Sequence, residues 1–286
     1  MQSSIKNKIF LALSFLLPLS ARAFIPPVGS VLKEIFDSRR PGISVELVFK
    51  HQVDLANGSS VAIDESLIYL GGKTYFLWKT QGHVPVYGVQ DRKAYVIGID
   101  RKLATRSYLF SKYLGTSSAE DFKELLVAEQ FARRDQFLQY KPGFVFEGDP
   151  ASWDVQGNYL KHPDIQLKKL ESSIAIAVKG YEEGQNQKTL YLDHKLQGIK
   201  RIEWKEASNV TSWNFSDFNR YQDGLFPRRL AFEQNGNELI RSDLVQVRGL
   251  KDKAITNTIQ SWQKTGGRNA ATGSLEEALK VLLSYR

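Results

Sequence analysis

The four histidines are the residues best suited to acid–base or metal chemistry, and they are scattered along the chain. None of them stands two or four residues from another, and the chain has no cysteine. A metal site needs several such ligands brought together, so we predict no metal and no cofactor. Catalysis would require a cleft in which a histidine meets a carboxylate or a hydroxyl group. The four candidates are His51, His83, His162 and His194.

No motif for an activated nucleophile is found in the sequence. It lacks a Gly-x-Ser-x-Gly elbow and a glycine-rich loop that would hold phosphate. It also lacks a Ser-x-x-Lys motif accompanied by the other motifs that act with it in serine enzymes. Distant residues can still converge in a folded chain. We nevertheless expect a protein that is not an enzyme.

Apolar and aromatic side chains on predicted strands are the most abundant candidates for a binding function. They alternate with polar residues and therefore share one face of each strand. Most residues of this kind form a core. A curved sheet that few helices cover would instead leave an apolar cavity, which suits acyl chains. The candidate ligand-binding residues are Val45, Leu47, Phe49, Phe76, Trp78, Trp213, Phe215, Leu230 and Phe232.

The stretch from Trp213 to Val247 predicts three consecutive antiparallel strands. Asp223-Gly224 and Asn235-Gly236 separate its apolar runs, and both pairs tolerate the positive φ of tight hairpin turns. Pro227 cannot donate to a ladder, so it belongs at the start of a strand or on an edge. With the other turn-bounded strands, we predict an α+β fold, mainly antiparallel: a strongly curved, incomplete β-barrel (half-barrel) of about 10–11 strands covered by a few helices.

Helices are predicted at the start, in the middle and at the end of the mature chain. Apolar spacing indicates a short amphipathic helix over residues 28–39. The capping box Ser117-Ser118-Ala119-Glu120 begins a helix over residues 118–139, and Ser274 caps a terminal one. We interpret residues 103–164 as a helical insertion, within which the helix over 118–139 acts as a lid.

The N-terminus has the pattern of a secretory signal peptide. Lys6 and Lys8 precede an apolar stretch over residues 9–19, and Ala21-Arg22-Ala23 is a cleavage site. We therefore expect cleavage after Ala23, a single domain over residues 24–286, and localisation in the periplasm, where a protein without disulfides is ordinary.

The charge pattern does not suggest a nucleic-acid partner. The formal net charge is +8, and no run of five or more like charges occurs. Such a modest excess is compatible with peripheral contact with anionic lipid, although it more often serves solubility. Arg228 and Arg229 are candidates for contact with lipid phosphate, and solvated strand charges are the more common interpretation of such a pair.

The order of elements resembles the periplasmic lipoprotein-carrier (Lol) superfamily. The features that carry the resemblance are the opening helix, the long antiparallel series, the mid-chain insertion and the late Trp-x-Phe strand followed by Phe-Pro-Arg-Arg-Leu and an Asn-Gly hairpin. The resemblance implies a curved, incomplete barrel that is lidded by helices and shelters acyl chains. The insertion is longer than a simple carrier needs, and no residue of the sequence can be matched to the lid-locking arginine of that superfamily.

Two functions follow as hypotheses. The first is a monomeric, non-enzymatic periplasmic binder or carrier whose partner is a lipid or an acylated protein held in the cavity of the sheet. The alternative is an envelope interaction or sensor module on the same fold, with a core filled by its own side chains and an envelope protein bound at its edge strands. The presence of an open cavity separates the two.

Overall fold

The computed structural model describes residues 28–39, 44–91, 94–97, 101–104, 109–137, 165–170, 173–183, 186–193, 198–266 and 273–284. The predicted signal peptide, His162 and His194 lie outside these ranges. None of the helices in them is long and apolar enough to cross a membrane.

Thirteen strands form one open sheet in which every neighbouring pair is antiparallel. The order is β6-β5-β4-β3-β2-β1-β13-β12-β11-β10-β9-β8-β7, so two meanders are joined where β1 pairs with β13. The strands are β1 (Ser44–Asp54), β2 (Ser60–Leu70), β3 (Lys73–Lys79), β4 (Val86–Gln90), β5 (Ala94–Ile97), β6 (Arg101–Ala104), β7 (Ile165–Leu170), β8 (Ser173–Glu183), β9 (Asn186–Asp193), β10 (Gly198–Glu206), β11 (Asn209–Tyr221), β12 (Gly224–Gln234) and β13 (Asn237–Leu250). The predicted fold class is confirmed, with more strands than the 10–11 expected.

Five α-helices accompany the sheet within the described ranges. They are α1 (Val28–Asp37), α2 (Leu109–Gly115), α3 (Ala119–Ala128), α4 (Asp252–Gly266) and α5 (Gly273–Ser284), and a 3₁₀ turn (Arg134–Phe137) follows α3. The cap of α3 lies one residue later than the predicted capping box implies: the Ser118 hydroxyl accepts a hydrogen bond from the Asp121 amide, and the helix begins at Ala119.

The predicted run of hairpins is confirmed by β11, β12 and β13. Trp213 lies opposite Phe232, and the turn between β12 and β13 has positive φ at Asn235 (52°) and Gly236 (80°), the geometry that an Asn-Gly turn favours. Pro227 lies inside β12, but β12 pairs with β13 only from Arg229 onward. The missing N–H of Pro227 therefore falls where the strand is locally an edge, as expected.

The contacts of one short helix show that the sheet is strongly curved. Lys112 of α2 donates to the hydroxyl of Tyr69 on β2 (2.7 Å), while its neighbour Tyr113 accepts from the Ile199 amide on β10 (3.2 Å). Those strands are five positions apart in the sheet, or about 24 Å if the sheet were flat. Adjacent residues can reach both only because the strands curl around the helix.

Both faces of the first meander are covered. On the concave face, α1, α2, α3 and α5 pack with the sheet in one large apolar cluster. On the convex face, α4 places three apolar side chains over β2, β3 and β4, and β3 accordingly buries Phe76 and Trp78 on one side and Leu77 on the other. The three side chains of α4 are Ile255, Ile259 and Trp262.

Two predictions of secondary structure around the insertion are wrong. The helix expected over residues 118–139 ends at Ala128, because Gln130 takes a left-handed φ of 61° and Phe131 turns back to meet the Trp204 ring edge-on at 5.4 Å. Gly180 makes room for this reversal, since a Cβ there would lie 1.9 Å from the Gln130 carbonyl oxygen. The predicted helical insertion over residues 103–164 does not begin with a helix: β6 extends to Ala104, and the first helix begins at Leu109.

The docking of α4 can be tested by truncating its largest apolar side chain. We expect Trp262→Ala to lower the free energy of unfolding by about 3 kcal/mol, because truncation leaves a cavity between α4 and the sheet. The control is Ser261→Ala, a substitution at the exposed residue that precedes Trp262. Urea unfolding followed by circular dichroism measures both, and a loss below about 1 kcal/mol for Trp262→Ala would show that α4 is not docked through this residue.

Candidate functional site

The nine predicted ligand-binding residues converge on the concave face of the sheet. They come from β1, β3, β11 and β12, and alternation within each strand turns them the same way. We call this set the floor. Each residue is between 0% and 6% exposed, and all belong to the same apolar cluster. The structure therefore brings the predicted residues together and covers them, and ligand binding at them stays a prediction.

Helix α2 lies against two aromatic residues of the floor, Trp213 and Phe215, and we call it the plug. Its Phe110 ring lies 4.6 Å from that of Trp213 and 6.2 Å from that of Phe215, between centroids. Its Tyr113 ring meets Phe215 edge-on at 5.3 Å. The expected lid helix, α3, packs instead on α1 through Phe122 and Phe36.

Side-chain hydrogen bonds fasten the plug to strands on both sides of the barrel. The Ser111 hydroxyl donates to Gln90 Oε1 on β4 at 2.7 Å, in addition to the Lys112 and Tyr113 contacts with β2 and β10. Burial raises the pKa of the Tyr113 hydroxyl, which keeps it protonated. The plug is thus held partly by polar contacts, which water can replace.

The strongest of these contacts comes from Arg39, two residues beyond the end of α1. Its Nη1 donates to the carbonyl oxygens of Tyr113 and Thr116, the latter at 2.8 Å, with that of Leu114 at 3.5 Å. Carbonyl groups at the end of a helix lack partners within the helix. One guanidinium nitrogen therefore gathers the free carbonyls at the C-terminal end of the plug.

The Arg39 guanidinium is buried, with the residue 4% exposed. Its central carbon lies 4.6–5.0 Å from the ring centroids of Phe36, Tyr113 and Phe226, positions suited to cation–π attraction. Burial lowers the pKa of Arg39 to about 10, so the group stays charged near neutral pH. No sequence signal distinguishes it from Arg40, because its partners are 74 to 77 residues away.

A second polar group on the concave face combines three residue types found in hydrolases. His51 Nδ1 lies 2.7 Å from the Ser242 hydroxyl and Nε2 lies 3.0 Å from Glu65 Oε2, while the Trp78 indole donates to Glu65 Oε1 at 2.6 Å. The sequence did not reveal this convergence, because Ser242 is 191 residues from His51. His51 is 2% exposed, and Glu65 and Ser242 are fully buried, so within the described residues no cleft opens at this group.

The remaining candidates lie at the surface. His83 is exposed in the loop before β4, and Arg228 is exposed on β12. Arg229 is exposed and has Nε 3.4 Å from Asp217 Oδ2 and 3.7 Å from Asp243 Oδ1. Lipid-phosphate contact by Arg228 and Arg229 stays a prediction.

A small cavity of about 130 Å³ lies away from the floor, beside the end of α3. Its lining is mainly amide and charged side chains, with Trp204 as the aromatic wall. This lining does not suit an acyl chain. The lining residues are Gln130, Asn186, Gln187, Lys188, Trp204, Lys205 and Glu206.

No protein-family model and no curated protein matches the chain. Among solved structures, a LolA superfamily protein from Nitrosomonas europaea is similar at 9% identity and a TM-score of 0.46, over 80% of this chain and 97% of that one. A DUF1329 family protein from Desulfovibrio piger follows at 8% identity and 0.43, over 80% and 96%. The MucA/MucB complex of Pseudomonas aeruginosa gives 12% identity and 0.24, over 78% and 57%. A LolA superfamily protein, of the kind that the order of elements resembles, is thus among the similar solved structures.

The role of Arg39 can be tested by removing its charge. We expect Arg39→Met to change the free energy of unfolding by less than about 2 kcal/mol, because losing a buried charge offsets the lost hydrogen bonds. Amide exchange in residues 109–116 should accelerate by about tenfold or more, since the plug loses its strongest fastening. Hydrogen-exchange mass spectrometry measures this, with the exposed Arg229→Met as control. Unchanged exchange in the plug would show that Arg39 does not hold it.

The burial of His51, Glu65 and Ser242 leads to a separate prediction. Because Ser242 has no exposed surface, we expect a fluorophosphonate reagent to leave it unlabelled in the folded protein. Peptide mapping by mass spectrometry checks this, with Ser242→Ala as the control for the assignment. Stoichiometric labelling of Ser242 under native conditions would indicate an accessible nucleophile.

Proposed function

We propose that the protein is a non-enzymatic binder or carrier of a hydrophobic ligand, a lipid or an acyl chain, and that the floor is its site. The observation that carries this proposal is that a helix of only seven residues lies against Trp213 and Phe215 of the floor and is fastened by side-chain hydrogen bonds. Such contacts can be exchanged for water or ligand, so the plug is suited to displacement.

The energetics of that exchange are balanced. Exposing Phe110, Tyr113 and Leu114 costs about 1.5–3 kcal/mol each, and each hydrogen bond of the plug adds about 0.5–1.5 kcal/mol. An acyl chain in their place gains about 0.8 kcal/mol per buried methylene. A chain of about 9–21 methylenes therefore matches the plug, which allows both uptake and release.

The cellular setting belongs to the same proposal. The signal-peptide pattern of residues 1–23 and the absence of cysteine support export to the periplasm. There the partners would be lipid or an acylated protein, with peripheral contact to the membrane and no nucleic acid. The protein would act as a monomer.

A specific observation also favours the second candidate, an interaction or sensor module. The floor is already fully covered by the chain's own side chains, so the fold needs no ligand to complete its core. In that case the envelope partner would bind at the edge strands β6 and β7 by adding a strand. The two candidates differ in whether the plug must move.

Cross-linking the plug to the sheet tests this difference. The chain lacks cysteine, so Gln90→Cys with Ser111→Cys provides one pair for a short bifunctional thiol reagent. We expect the locked protein to take up the apolar fluorescent probe N-phenyl-1-naphthylamine at least about tenfold more weakly than the unlocked one, because the probe needs the floor. The matched control joins Gln52→Cys and Ser60→Cys, whose side chains touch across the β1–β2 hairpin at 2.5 Å.

The outcomes separate the candidates. Probe uptake that is lost in the plug cross-link and kept in the hairpin cross-link supports a ligand site under the plug. Equal uptake in both would place the probe elsewhere and contradict the proposal. No uptake by the unmodified protein would favour the interaction module with a filled core.

A further inference from the structure

Arg39 is a buried cation without an acidic partner among the residues that the structure describes. No carboxylate of the described residues lies within ion-pair distance of it, and its Nε and Nη2 atoms are buried without a hydrogen-bond partner. Asp223, next to Gly224, instead accepts from the Gly249 amide at 2.8 Å. The hydrogen bonds of the guanidinium to main-chain carbonyls are therefore all made through Nη1.

Such an arrangement is costly for the protein alone. A buried charge is normally paired with an opposite one, and each unsatisfied donor in a low-dielectric interior adds a penalty. The three surrounding rings attract the cation but accept no conventional hydrogen bond from its free edge. The closed state therefore leaves two strong donors unused at the end of the floor where Phe226 and the plug meet.

The two unused nitrogens form a recognisable binding edge. Nε–H and Nη2–H lie on the same side of a guanidinium and are parallel, which matches the two oxygens of a carboxylate or a phosphate. We propose that this edge binds the anionic group of an amphiphilic ligand, a carboxylate or a phosphate, while the acyl chain of the ligand occupies the floor. This inference rests on the proposed function of the floor as an acyl-chain site.

The same residue would couple ligand binding to release of the plug. Nη1 holds the carbonyls of Tyr113 and Thr116, and the free edge belongs to the same rigid plane. An anion at the free edge competes with those neutral carbonyls for the guanidinium, because a charged acceptor forms the stronger hydrogen bond. Rotation of the guanidinium plane toward the anion then weakens the bonds from Nη1 to the carbonyls. Binding of the anionic group thereby loosens the helix that covers the site of its own acyl chain.

The backbone around Arg39 restricts how the guanidinium can respond. A Cβ on Gly224 would lie 2.9 Å from Arg39 Cα, so β12 packs tightly against the Arg39 backbone. Gly224 begins the part of β12 that pairs with β11 but not with β13. The main chain of Arg39 is therefore fixed, and rotation of its side chain is the movement available for exchanging carbonyls for an anion.

Competition between ligands of equal chain length tests the inference. N-phenyl-1-naphthylamine bound to the wild-type protein is displaced with decanoate, decyl phosphate and neutral decanol. We expect the two anions to compete at least about tenfold better than decanol, because they also pair with Arg39. Arg39→Lys keeps the charge but lacks the two-donor edge and should reduce the preference, and Arg39→Gln should abolish it. Arg241→Gln, at an exposed arginine of β13 that pairs with Glu238, should leave the preference unchanged.

The ratio between competitors is the quantity to compare, because Arg39 variants also loosen the plug and change absolute probe affinity. Equal competition by decanol and the anions in the wild type would overturn the anion site and leave the acyl-chain site standing. Failure of the probe and all amphiphiles to bind would overturn the proposed function itself. A preference for anions that survives in Arg39→Gln would assign it to another residue and overturn the role of Arg39.

Hydrogen exchange in the plug identifies the source of the anion. Acceleration by decanoate or decyl phosphate, but not by inorganic phosphate at the same concentration, supports a lipid headgroup. Acceleration by inorganic phosphate alone supports the anion site with free phosphate as its occupant. No acceleration by any anion would overturn the coupling between Arg39 and the plug.

Discussion

The contact between Arg39 and the carbonyls that end the plug joins three parts of the chain that are distant in sequence. The arginine follows α1, the carbonyls lie at the C-terminal end of α2 and in the residue after it, and Phe226 of β12 lies over the guanidinium. A charge buried in this way gains strong hydrogen bonds, but it also loses hydration, and the two effects largely cancel. The contact therefore determines where the plug lies more than how stable the protein is.

On the concave face, apolar packing and polar contacts have different roles. The floor and the apolar side of the plug supply buried area, while hydrogen bonds at Gln90, Tyr69 and Arg39 set the position of the helix. The His51–Glu65 pair illustrates the opposite case, since Trp78 and Ser242 satisfy it on both sides. A satisfied polar group can stay in a core permanently, whereas Arg39 keeps two donors free.

The strands could be predicted because they depend on turn chemistry and residue alternation. The contacts that position the plug could not be predicted, because they join residues far apart in sequence. Turn chemistry and alternation place Trp213 opposite Phe232 and turn the nine floor residues to one face. Helix α4 was missed although Ile255, Ile259 and Trp262 have helical spacing, because the helix is mostly polar. The end of α3 depends on Phe131 meeting Trp204. Arg39 has no local signal, since its partners come from a helix 74 residues later.

A covered floor constrains how any ligand can enter. The buried aromatic surface cannot stay bare in water, because exposing each large side chain costs about 1.5–3 kcal/mol. Departure of the plug and arrival of a ligand must therefore occur as one exchange. In such an exchange, the ligand gains by displacing polar contacts as well as by filling apolar space. A neutral hydrocarbon offers nothing to the arginine that the plug leaves, whereas an amphiphile with an anionic end replaces both the apolar and the polar contacts of the plug. The chemistry of the closed state thus favours a ligand with two different ends over a purely apolar one.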